Sequence, residues 1–116
     1  MASGKDLAIA CALAADENKA ENIKVLDVSG LSPITDFIVV CSGTSMPHLK
    51  AIMRDIGTNV HDKLKEQPNS SDGNPDARWV VLDYVDVMVH VMLEDMRELY
   101  ALEDLWDGAK VVEWEN

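Results

Sequence analysis

The chain has 116 residues, 47% of them hydrophobic, and its ten Lys and Arg against 21 Asp and Glu leave a net charge of −11. That length suits one domain with a real core and is too short for two. The apolar content argues against disorder, and no apolar run reaches the roughly 20 residues that span a bilayer. Between Asp83 and Asn116 ten acidic side chains stand against two basic ones, which places −8 of the −11 in the last third. Such a surface disfavours DNA or RNA, whose binding draws on Lys and Arg neutralising phosphates, and favours a basic protein partner.

The first segment, MASGKDLAIACALAADENK, has one early Lys and then mixes alanines with acids. A secretory signal needs a more apolar centre, and a mitochondrial presequence is Arg-rich and poor in acids. The chain therefore reads as cytoplasmic. Ser3 or Gly4 opens a helix to about Asn18, with Leu7, Ala10, Cys11 and Ala14 on one stripe. A strand follows over 23–28, closed by Ser29-Gly30 and the turn Leu31-Ser32-Pro33. The run TDFIVVC (35–41) is a second strand, and its unbroken apolar character predicts burial on both faces.

Ser42-Gly43-Thr44-Ser45 supplies hydroxyls that cap the next helix, with Pro47 in its first turn. That helix, from Met46 to about Glu66, places Leu49, Ile52, Met53, Ile56, Val60 and Leu64 at spacings of three and four. Residues 67–77 (QPNSSDGNPDA) read as a mobile, turn-rich loop. Arg78–Tyr84 and Asp86–Leu93 are strands joined by a tight link, an antiparallel hairpin. Glu94 to about Trp106 is helical, with acids at its start where the helix dipole favours them, and Trp106 reads as its core anchor. The order α-β-β-α-β-β-α predicts an α/β (α+β) domain over 1–108. Its mixed sheet has about five strands or fewer with flanking helices, and residues 109–116 are left as a C-terminal tail.

Several constellations carry possible chemistry. The Ser42–Ser45 turn between strand and helix resembles a phosphate cradle, but GxxxxGK[ST] and GxGxxG are both missing. Asp36, Asp83 and Asp86 could converge on a divalent metal, as in a nucleotidyltransferase, although D-x-x-D across a turn need not put two carboxylates on one face. Cys41 with His48 suggests a thiol dyad without a third orienting group. Cys11 and Cys41 read as reduced, buried hydrophobes, and no CxxC or Cys/His spacing points to zinc. His90, mid-strand between valines, reads as a packed histidine. No catalytic residue, cofactor site or metal site is therefore assigned. Trp79 and Tyr84 differ in kind: alternation puts them on opposite faces of the hairpin, and an exposed aromatic ringed by carboxylates has the composition of an interface hot spot.

The motifs LDVSGLSPITDFIVVCSGTSMPHLKAI and RWVVLDYVDVMVHVMLEDMRELYALEDLW, separated by a variable loop, resemble the Iojap family of ribosomal silencing factors. The likeness covers residues 5–107. It implies a fold related to nucleotidyltransferases but without known catalysis. It also implies binding to large-subunit ribosomal protein fourteen on the face where the small subunit docks, with joining blocked and translation repressed when nutrients are scarce. The family partner is basic, in keeping with the acidic bias, and a homodimer off the ribosome is also implied. Carried over residue by residue, Trp79, Leu82, Asp83, Tyr84, Asp86, His90, Glu94 and Glu98 are expected to form or support the interface. The family commonly has Gly where this chain has Val85. The alternative from another class is a nucleotide-binding domain or enzyme built on the Ser42–Ser45 turn and the three aspartates.

Overall fold

The computed structural model describes residues 3–74, 78–100 and 108–115. Helix α1 (Gly4–Glu17) begins where Ser3 Oγ accepts the Asp6 N–H, the expected N-cap. Its buried face is Leu7, Ala8, Cys11, Ala12, Ala14 and Ala15, small enough to let the helix lie close on what it covers. Strands β1 (Glu21–Asp27) and β2 (Phe37–Gly43) form an antiparallel pair, with a register shift between Glu21 and Lys24. Helix α2 (Met46–Leu64) buries Leu49, Ile52, Ile56 and Val60, as their spacing predicts. It ends two residues before the expected Glu66 because Lys65 turns left-handed (φ 58°) and donates its N–H to His61 O.

Strand β3 (Ser70–Asn74) comes next. It falls within the segment expected to be a loop and pairs antiparallel with β4 (Trp79–Asp83). Its polar sequence carries no hydrophobic alternation; the pairing rests on backbone groups, to which period-two patterns are blind. β4 and β5 (Val87–Leu93) form the expected antiparallel hairpin. Helix α3 begins at Glu94 and is described to Tyr100; the expected continuation to Trp106, and its anchoring role, lie outside the described residues. Lys110–Val112, within the expected tail, form a short strand β6 on β1.

The sheet thus has six strands in the order β3-β4-β5-β2-β1-β6, two more than the predicted order of elements supplies. It is mixed, because β2 and β5 run parallel at its centre. β2 is buried from Ile38 through Gly43, as its unbroken apolar run predicts. One face, with Val25, Val39, Cys41, Val80, Leu82, Val87, Val89 and Val91, packs against α1 and α2. The other carries a smaller cluster of Leu26, Val28, Ile38, Val40 and Met92, with Trp79 and Met96 against it. No described helix is long and apolar enough to cross a membrane.

Candidate docking face

Alternation along β4 and β5 sorts the expected interface residues onto two faces. Leu82 and Tyr84 point toward α1 and α2 and are buried in the main core. Trp79, Val81 and Asp83 point the other way, with Met88, His90 and Met92 beside them on β5. Trp79, Val81, Asp83 and Met88 are only half-buried. Val81 and Met88 were not among the expected residues, although the same period of two places them beside Trp79 and His90.

Trp79 and His90 interact directly. The Trp79 Nε1–H donates to His90 Nδ1 at 3.1 Å, and the rings lie 5.7 Å apart, tilted by 52°. His90 is 8% exposed, and burial pushes its pKa down to about 4. It is therefore neutral near pH 7, in agreement with its reading as a packed histidine.

The acidic rim comes from two places. On α3, Glu94, Asp95 and Glu98 are exposed, and Met96 turns inward against the smaller cluster, which fixes this helix on the Trp79 side of the sheet. Arg78 Nη1 reaches Asp95 Oδ2 at 2.9 Å, joining the start of β4 to the start of α3. At the far end of the hairpin stand Asp83 and the exposed Asp86. Between them Val85 has φ 75°, the Asp86 N–H donates to Tyr84 O at 2.9 Å, and Asp83 Oδ1 accepts the Val85 N–H at 2.7 Å. That three-residue turn is of the strained hand, rare for any side chain and rarer for a β-branched one. Val85 is 55% exposed and Ile34 73% exposed. Their segments are linked where Asp86 O accepts the N–H groups of Asp36 and Phe37.

The arrangement offers little to the nucleotide alternative. Among the described residues no three His, Cys, Asp or Glu side chains could jointly hold a metal ion, so Asp36, Asp83 and Asp86 do not converge. The Ser42–Ser45 turn is a cap: Ser45 Oγ accepts the His48 N–H, and the Thr44 N–H donates to His48 Nδ1 at 2.9 Å. With Nδ1 accepting, the ring proton is on Nε2, which donates to Asn18 O at 2.7 Å and fastens the end of α1 to the start of α2. A Cβ at Gly43 would stand 2.7 Å from Leu49 Cδ2, so a larger residue would push that buried side chain aside. A cleft of about 550 Å³ does open at the ends of β2 and β5, the crevice where open α/β sheets bind ligands. Three carboxylates, Glu21, Glu94 and Asp95, line it and would repel a phosphate.

The thiol dyad that Cys41 and His48 suggest is not formed, and Cys41 is the buried hydrophobe expected of it. Both His48 nitrogens are engaged elsewhere, and Cys41 is fully buried, with its pKa pushed up to about 12. Cys11 is likewise buried, and burial raises its thiol pKa further still. Both are free thiols.

A six-stranded mixed sheet with helices on both faces makes this an α/β domain, and its hairpin carries an acidic, aromatic-bearing surface. Comparison with known proteins narrows this. The family model "Ribosomal silencing factor during starvation" matches residues 2–116. The ribosomal silencing factor of Bacillus subtilis is 38% identical over 102 residues, covering 88% of this chain and 86% of that protein. The chloroplastic Iojap protein of Zea mays is 37% identical over 109 residues, covering 91% of this chain and 46% of that protein. A crystal structure of a Chromobacterium violaceum protein superposes with a TM-score of 0.86 at 27% identity, covering 99% of this chain and 95% of its own. The chain belongs to the ribosomal silencing factor family.

Proposed function

We propose that the chain is a cytoplasmic, non-enzymatic translation repressor. It docks on the large ribosomal subunit through the sheet face that carries Trp79, Val81, Met88 and His90, and it excludes the small subunit by volume. The contact is ribosomal protein fourteen of the large subunit, and the conditions of use are nutrient limitation. Trp79 and the acidic groups Asp83, Asp86, Glu94 and Glu98 meet the partner, while Leu82, Tyr84 and His90 support them from beneath. Membership of the ribosomal silencing factor family carries this reading. The −8 balance over the last 34 residues, Asp83 to Asn116, supplies the electrostatic match to a basic ribosomal protein.

The test is sedimentation of purified subunits with and without the protein. The expected outcome is cofractionation with large subunits and a smaller joined-ribosome peak, weakened by Trp79→Ala. Unchanged joining at saturating protein would rule the function out.

A further inference from the structure

We propose that His90 is a positioning residue for the docking face: its Nδ1 accepts the indole N–H of Trp79 and fixes the angle at which that ring meets the ribosomal partner. This rests on the docking reading given above.

Register creates the pair. Trp79 lies opposite Met92 and Val81 opposite His90, so Trp79 and His90 are diagonal neighbours on one face of the hairpin. An indole nitrogen can only donate. The His90 nitrogen 3.1 Å away must therefore present a lone pair, which puts the ring proton on Nε2. Burial keeps the imidazole unprotonated near pH 7, so the acceptor is always available. A protonated ring would place N–H against N–H at the same spot.

An apolar side chain at this 8%-exposed position would avoid the cost of burying a polar ring. What histidine adds is one directed acceptor beneath a tryptophan that stays partly open to solvent. A large aromatic held in one orientation loses less freedom on binding, which is how a rigid anchor gains affinity.

Asparagine and glutamine separate the two ring nitrogens. The Asn amide oxygen can occupy the Nδ1 position, whereas the Gln amide lies near Nε2 and leaves the indole without its acceptor. The variants are H90N, H90Q and H90L, each also made in the W79F background. Two quantities are read: the Trp79 indole N–H resonance of the free protein, and affinity for purified large subunits. H90N should keep the resonance and affinity near wild type. H90L and H90Q should move the resonance upfield and weaken affinity about tenfold, a loss typical of a disturbed anchor. In the W79F background, which lacks the donor, neither should weaken affinity further. Equal losses in both backgrounds would overturn the proposal, as would an unmoved indole resonance in H90L and H90Q. If H90L fails to fold, H90Q against H90N decides alone. Failure of the wild-type protein to bind large subunits would remove the docking reading itself, a result distinct from either.

Discussion

Arg97 on α3 donates through Nη1 to Ser42 Oγ at the end of β2, 2.9 Å away, with both side chains buried. This bond crosses 55 residues of sequence and sets how α3 lies on the sheet, hence where Glu94 and Glu98 stand. Ser42→Ala leaves a buried guanidinium short of one acceptor. The expected loss is about 1–3 kcal/mol in denaturant unfolding, together with weaker binding to large subunits. An unchanged unfolding midpoint would mean that this bond does not hold α3.

Trp79 and Tyr84 should separate cleanly by readout. Trp79→Ala is expected to weaken large-subunit binding by about 2 kcal/mol. Tyr84→Ala should instead destabilise the fold by about 3–5 kcal/mol, because it empties part of the core beneath the helices. The Tyr84 hydroxyl is buried without a hydrogen-bond partner among the described residues. Tyr84→Phe should therefore be neutral or mildly stabilising. Thermal and urea unfolding beside binding isotherms would measure all three variants.

Val85→Gly should stabilise the protein. The left-handed φ of 75° costs a β-branched residue roughly 1–3 kcal/mol, while glycine adopts it freely at an entropic cost of roughly 0.5–1 kcal/mol. A net gain of about 1 kcal/mol is expected, seen as a higher urea midpoint at constant slope. A lower midpoint would mean that the turn is not strained.

His90 predicts an acid-side loss of stability. Its folded pKa, about 4, lies below the ordinary value of 6.5. Between these two values the unfolded chain binds the proton and the folded chain does not. Stability is therefore complete above pH 6.5 and falls as pH drops toward 4, by up to about 3 kcal/mol. H90N should flatten this slope relative to wild type when unfolding is followed across that window. A slope identical in both proteins would assign the acid loss to carboxylates instead.

Helix α2 and strand β2 were legible because periodic burial writes itself into composition. Leu49, Ile52, Ile56 and Val60 can share only a helical face, and the run from Phe37 to Cys41 suits only a strand covered on both sides. β3 and β6 were not legible. Each is a short edge strand whose place is set by the backbone of its neighbour: Ser70–Asn74 has no apolar side chain, and the three residues Lys110–Val112 are too few to show a period. At the site, alternation was enough to put Trp79 and Tyr84 on opposite faces. It could not tell which face the helices would cover, because that depends on where α1 and α2 settle. It also could not find the Trp79–His90 bond, which depends on the hairpin register pairing Val81 with His90.

The sequence by itself therefore determined the elements with strong periodicity, the acidic charge of the last third and the family motifs. Each is a property of residue order or composition that survives without a partner in space. Only the tertiary structure decided which aromatic is half-exposed and which is core, that His48 ties the SGTS cap to the end of α1, and that Arg97 is buried on Ser42. Those outcomes depend on groups far apart in the chain meeting at hydrogen-bond distance. Contacts of that kind arise from packing and register, which no local pattern of residues encodes.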